Sequence, residues 1–414
     1  MKTVKTMATS TLLLLLMGVI HVWADTSSVC LADLNDLTDL NDCFHFKKLG
    51  CTCGCQPYGS DRKQAFVVNC TNRGFTNTLM LKDLPAATEV LIFSGNNIRQ
   101  LPWNVLGNDK DYINLKEVDM SNNNINEILG KSYHKVSSVT RLILNHNDLR
   151  ISDGFGDDNK HHPRVFSNFV NLRELHLTNA FADNSPENLA EDLHDIFYQS
   201  NLSQLIKLHL EQNEIRTFKD PGIFCNLPKL MDVHLGNNEL EHLDFDVSCL
   251  KQLRFIDLEA NKIAKLNLKD LVAMDTLPRR NQTLMVDLTN NPINCDCNIR
   301  DFVAWLGSTK VTVRNGDMLK CGQGYPYDNI GKRILDVHDF QCLPPKRYSE
   351  ALHASSTTIP VLIAFLVCLF VLLVGTLLYM NKSHLKHQLT PILDSVSRKV
   401  QYTSIGKQDQ EMDV

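Results

Sequence analysis

Cys295 and Cys297 stand one residue apart, directly after the Asn-Pro step in "NNPINCDCNIRDFVAWL", and Cys321 and Cys342 follow them. A similar crowding, "CTCGC" at Cys51, Cys53 and Cys55, lies between Cys30 and Cys43 on one side and Cys70 on the other. Thiols at this spacing serve three chemistries: zinc ligation, thiol–disulfide exchange, or covalent closure of a fold. A second set of chemistry-bearing side chains is His176, His209 and His234, each set between two aliphatic residues in "ELHL", "KLHL" and "DVHL". No nucleophile–base pair, phosphate loop or zinc-hydrolase signature accompanies them. The sequence therefore predicts a chain that is not an enzyme, with no cofactor, no catalytic residue and no assigned metal ligand.

Compartment decides between the cysteine chemistries. Residues 1–24 carry Lys2 and Lys5, the apolar run "TLLLLLMGVI" and a small-residue cleavage site, the pattern of a secretory signal peptide. Residues 358–380, "TIPVLIAFLVCLFVLLVGTLLYM", hold no charge and read as a single transmembrane helix. The expected topology is a single-pass type I protein of the plasma membrane, with its N-terminus extracellular and residues 381–414 as a short cytoplasmic tail. Residues 25–357 carry 35 Lys and Arg against 43 Asp and Glu, a net charge of −8. That balance argues against nucleic acid or heparin as the main ligand, since both require concentrated basic charge. Twelve of the thirteen cysteines fall outside the span, in an oxidising compartment, so disulfides are expected and zinc is the alternative.

These residues need elements to position them, and a repeat supplies the elements. The pattern L-x-x-L-x-L-x-x-N-x-L fits "LKEVDMSNNNI", "VTRLILNHNDL", "LIKLHLEQNEI", "LMDVHLGNNEL" and "LRFIDLEANKI". Looser copies, "TEVLIFSGNNI" and "TLMVDLTNNPI", begin and end the array, and "LRELHLTNAFA" puts Ala180 where asparagine is expected. Eight repeats follow, one of them defective. Inward asparagine side chains, Asn96, Asn123, Asn147, Asn213, Asn238, Asn261 and Asn291, would satisfy the buried backbone of each turn. Leucines at fixed positions pack each repeat on its neighbours, so the fold class is an α/β leucine-rich-repeat solenoid, curved, with a parallel sheet on its concave face.

Stacking leaves two apolar ends, and the cysteine clusters sit there. The chain divides into a cysteine-rich N-terminal cap over 25–85, repeats over 86–293 with a polar interruption near 152–201, a cysteine-rich C-terminal cap over 294–343 and a stalk over 344–357. The expected C-terminal pairing is Cys295 with Cys321 and Cys297 with Cys342, with Phe302, Trp305 and Leu306 covering the last repeat. Six N-terminal cysteines allow fifteen connectivities, and spacing selects none. Cys225 and Cys249, at similar offsets in successive repeats, are expected to bridge, the alternative being two buried thiols.

Cysteine-capped repeats, one span and a short tail resemble the leucine-rich-repeat cell-surface receptors, although six N-terminal cysteines exceed the usual four of such caps. Two repeat blocks around a polar interruption, with "LLYMNKSHLK", "YTSI" and a final Asp-Val, are similar to members that act on Wnt signalling. That resemblance implies an inhibitory modulator of Wnt signalling with roles in adhesion and migration.

Strand positions between the leucines project outward. The column Ile92, Asp119, Ile143, His176, His209, His234, Asp257 and Asp287, flanked by Arg173, Glu174, Lys207, Asp232 and Arg254, is where an extracellular protein ligand or co-receptor is expected. The alternative is a merely solvated face, with binding on the convex side or loops. The histidine row is expected to face solvent; protonating all three in endosomes would loosen a ligand lying over them. Zinc on this row would need supporting partners that the sequence does not reveal. Asn69, Asn201 and Asn281 open glycosylation sequons. In the tail, Tyr402 and Ile405 fit a clathrin-adaptor signal, and Met412 and Val414 fit addition to a PDZ groove. The functional alternative to signalling control is cell–cell adhesion through the ectodomain.

Overall fold

Each repeat uses three residues for its strand, the middle one buried in the core and the outer two facing the opposite side. The computed structural model describes residues 30, 37–107, 110–130, 132–151, 165–183, 185–277, 283–342 and 358–382. Residues 1–24, the stalk at 344–357, Asn281 and the tail motifs Tyr402, Ile405, Met412 and Val414 lie outside them. The chain divides into two units, 1–342 and 343–414.

In the first unit an 11-stranded sheet runs in chain order. It begins with the hairpin of β1 (Thr52–Tyr58) and β2 (Lys63–Asn69), paired antiparallel. The repeat strands follow in parallel: β3 (Val90–Ile92), β4 (Glu117–Asp119), β5 (Arg141–Ile143), β6 (Glu174–His176), β7 (Lys207–His209), β8 (Asp232–His234), β9 (Phe255–Asp257) and β10 (Met285–Asp287). A short β11 (Thr312–Val313) closes the sheet on β10. The middle residues Leu91, Val118, Leu142, Leu175, Leu208, Val233, Ile256 and Val286 are fully buried.

The asparagine ladder forms as side-chain chemistry requires. Asn123 donates to the Phe93 and Met120 carbonyls at 2.9 and 2.8 Å and accepts from the Asn96 amide at 3.1 Å. Asn147 accepts from the Asn123 and Ile125 amides at 3.1 and 3.0 Å. The residue before each ladder position has positive φ, from Gly95 through Asn122, His146, Asn179, Gln212, Asn237 and Ala260 to Asn290. Asparagine tolerates that region better than most residues do. At Gly95 a side chain would collide with Asn72.

At the defective repeat the backbone replaces the missing amide. Leu149 N–H donates to the Ala180 carbonyl at 2.9 Å, and Ala182 N–H returns a bond to the Leu149 carbonyl at 3.2 Å. Asn213 reaches back to the Ala180 amide at 2.8 Å. The polar interruption also proves partly helical. Pro186–Phe197 forms a helix capped by the Ser185 hydroxyl, which accepts from the Asn188 amide. Leu189, Leu193, Ile196 and Phe197 bury one face, an apolar spacing that the many acidic neighbours obscure in the sequence. Phe197 meets Phe224 at 5.8 Å, and Phe224 meets Phe245 at 5.3 Å, so aromatic rings seat the helix on the next repeats.

Both ends are closed covalently. The bridges are Cys30–Cys55, Cys43–Cys53 and Cys51–Cys70 before the repeats, and Cys295–Cys321 and Cys297–Cys342 after them. Cys225 and Cys249 join adjacent turns. The C-terminal cap lays the helix Arg300–Ser308 over the last repeat, with Phe302 and Trp305 buried and stacked at 5.9 Å, and Leu306 packed beside them.

Among its described residues the second unit contains one helix, Thr358–Met380, of 23 residues without a charged side chain. Among the described residues no helix is long and apolar enough to cross a membrane. The backbone helix in full extends ~34 Å at 1.5 Å per residue.

Candidate binding face

The concave face carries two columns in strict register, one from the first strand residues and one from the third. In the third-residue column Ile92 pairs with Asp119, Asp119 with Ile143, Ile143 with His176, His176 with His209, His209 with His234, His234 with Asp257 and Asp257 with Asp287. The expected column is thus assembled, but its members differ in what they are free to do.

The acidic members act largely within the fold. Asp119, Asp257 and Asp287 each accept from the amide two residues on, Ser121, Glu259 and Thr289, at 2.9, 3.0 and 3.0 Å. They bracket the strand exits, and Asp287 also holds Arg314 at 3.0 Å. Burial raises the pKa of Asp257 above the usual carboxylate range.

The first-residue column is a charge ladder. Tyr58 donates its hydroxyl to Glu117 at 2.6 Å, and burial together with that carboxylate pushes the phenol up. Arg141 lies between Glu117, at 3.5 Å, and Glu174, at 3.4 Å, while Lys207 reaches the other Glu174 oxygen at 3.5 Å. The hydrogen bond from His176, despite the opposing cost of burial, and the nearby Lys207 and Arg141 charges hold Glu174 down at about 2. Asp232 is buried and gripped by Arg254 through two bonds of 2.6 Å. Arg173 instead lies exposed at its strand entrance, with its carbonyl accepting from the Ile206 and Lys207 amides.

The histidines form a stack. His176 and His209 have ring centroids 4.3 Å apart, and His209 and His234 are 4.1 Å apart, with interplanar angles of 8° and 9°. Mutual cover leaves 13%, 20% and 21% of the three side chains exposed. This corrects the expectation of three solvent-facing histidines that all charge in endosomes. Burial lowers His176 below its ordinary value. Burial, with the neighbouring His209, likewise lowers His234, against endosomal charging.

Two side chains in this region escaped the sequence pattern. Glu211 lies two residues beyond His209, past the end of the strand, and Thr178 likewise follows His176. Glu211 accepts from the Thr178 hydroxyl at 2.8 Å and faces His209 Nδ1 at 2.8 Å. Same-face alternation carried past the strand end is the signal that would have found both. Among the sequons, Asn69 is half-buried at the end of β2, with its side-chain oxygen accepting from the Thr71 amide and hydroxyl at 2.9 and 2.7 Å. Asn201 is exposed.

A family model described as leucine rich repeat matches residues 203–263. Trophoblast glycoprotein from Macaca fascicularis is 26% identical over 341 residues, covering 80% of this chain and 76% of that protein, and the Mus musculus protein is 26% identical over 345 residues. Human lumican is 30% identical over 154 residues, covering 37% of this chain and 39% of that protein. The crystal structure of human trophoblast glycoprotein, also named Wnt-activated inhibitory factor 1, superposes with a TM-score of 0.58 at 26% identity, covering 70% of this chain and 98% of that one. The chain is a leucine-rich-repeat protein resembling trophoblast glycoprotein.

Proposed function

We propose that this protein is a single-pass plasma-membrane binding protein that engages an extracellular protein or co-receptor on its concave face and acts as an inhibitory modulator of Wnt receptor signalling. The observation that carries this reading is the correspondence with the human Wnt-activated inhibitory factor over 98% of that structure. Membrane anchoring rests on Thr358–Met380, whose 23 uncharged residues match the hydrocarbon core in length. The preceding extracellular unit is consistent with its six disulfides. The tail supplies PDZ contact through Met412 and Val414 and adaptor contact through Tyr402 and Ile405.

The test is a Wnt-responsive reporter in cells expressing the full chain. Reporter output should fall, and Lys207→Glu should restore it at equal surface abundance. A full chain present at the surface with no effect on the reporter would remove the reading. A second reading is cell–cell adhesion, which the same ectodomain would serve. Clustering of expressing cells without any change in reporter output would select it.

A further inference from the structure

We infer that His209, His234 and Glu211 form a divalent-metal site on the concave face, suited to Zn2+ rather than to Ca2+ or Mg2+. Glu211 Oε1 lies 2.8 Å from His209 Nδ1 and 3.8 Å from His234 Nδ1. The three donor atoms all fall within 4.8 Å of one another. Donors around tetrahedral zinc, at 2.0–2.1 Å from the ion, stand ~3.3 Å apart, between the 2.8 and 3.8 Å at which Glu211 Oε1 faces the two nitrogens. The His209 and His234 rings lie 9° from parallel, so both imidazoles turn out of the stack to aim their lone pairs at a shared ion.

What distinguishes this trio from a bare histidine row is its support. Thr178 donates to the other Glu211 oxygen at 2.8 Å, fixing the carboxylate from behind and leaving Oε1 turned toward the imidazoles. His176 stacks on the outer face of His209, and Phe255 meets His234 edge-on at 5.2 Å. Such flanking contacts orient ligands and raise their affinity. Ligation through Nδ1 uses the neutral His209 tautomer that carries its proton on Nε2, so the Nδ1–Glu211 hydrogen bond gives way to the metal. Two nitrogens and one oxygen favour a borderline metal, since Ca2+ and Mg2+ prefer all-oxygen shells. Three protein ligands leave a fourth position open on the concave side, for water or for a side chain of a bound partner. The site stands on its own geometry and does not depend on the Wnt reading.

The full chain, purified in detergent and stripped with chelator, is titrated with Zn2+ by calorimetry and with Co2+ by visible absorption. The expected result is one metal per chain, with Co2+ bands of low coordination number. Affinity should fall at least ~10-fold in His234→Gln and in Glu211→Gln, and stay unchanged in His338→Gln, which lies outside the cluster. Thr178→Val keeps all three donors yet should also weaken binding, which preserves the test if a ligand variant folds poorly. The inference is overturned by no saturable Zn2+ uptake in the wild type, by equal uptake in His234→Gln and Glu211→Gln, or by displacement of Zn2+ with equimolar Ca2+.

Discussion

Asp232 is a carboxylate 5% exposed on a face that otherwise meets water, and Arg254 engages both of its oxygens there. Removing the partner leaves a desolvated charge, the costly half of a broken buried pair. Because the Arg254 side chain is itself 36% exposed, water offsets part of that cost. Arg254→Ala should therefore destabilise the first unit by about 1–3 kcal/mol in chemical denaturation, and Asp232→Asn combined with it should recover part of the loss. Glu174 makes a second residue-level prediction. Its folded pKa, about 2, lies below the ordinary 4.5, so its contribution is present above pH 4.5 and is lost as pH falls from 4.5 toward about 2. Glu174→Gln should flatten the acid limb of melting temperature against pH in that window, and an unchanged limb would assign acid unfolding to other groups. At this scale the sequence discloses residue types well and partnerships poorly. The cysteines, the ladder asparagines and the histidine column were all legible from their spacing. Glu211 and Thr178 were not, because they stand past the strand at a repeat position that the pattern leaves free, and Tyr58 was not, because it belongs to the hairpin before the repeats.

A strand of three residues has little intrinsic stability, so each turn depends on its asparagine. Asn123 is fully buried, donates to two well-placed carbonyls and accepts from the Asn96 amide. Asn123→Ala should cost at least ~3 kcal/mol, because several buried groups lose their partner together. Asn123→Asp should cost as much, since the same shape would aim an oxygen at the Phe93 and Met120 carbonyls. If aspartate proved neutral there, the donor half of the ladder would carry no weight. Ala180 shows the other solution, a direct backbone bridge to Leu149, which leaves no gap in the sheet between β5 and β6. The strands were legible because leucine spacing and turn asparagines point to the same period. The helix Pro186–Phe197 was hidden within a segment whose Asp and Glu content reads as solvated loop. Its start signals, Ser185 followed by Pro186, were present, and Ser185→Ala should lower its stability by about 1 kcal/mol.

Across the whole first unit, apolar contacts link neighbouring repeats into one continuous core running from Cys43 to Val337. In such an array each repeat is supported on two sides, except at the ends, where a cap must replace the missing neighbour. Here the caps are small modules with little core of their own, three bridges on one side and two on the other. Losing a bridge in such a module typically costs 2–5 kcal/mol, more than a hairpin or a nine-residue helix supplies by itself. The Cys225–Cys249 bridge differs, because it joins turns already held by packing on both sides. Reduction should therefore loosen the solenoid from its ends inward. Hydrogen exchange after mild reduction should show the amides of β2, β3, β10 and β11 losing protection first, with β7 and β8 last. Cys225→Ala with Cys249→Ala should leave that order unchanged. Uniform loss along the sheet would mean that the repeats unfold as one cooperative block and that the caps do not limit stability. Early loss at β5 and β6 would instead make the asparagine missing at Ala180 the weakest joint, outweighing its backbone bridge.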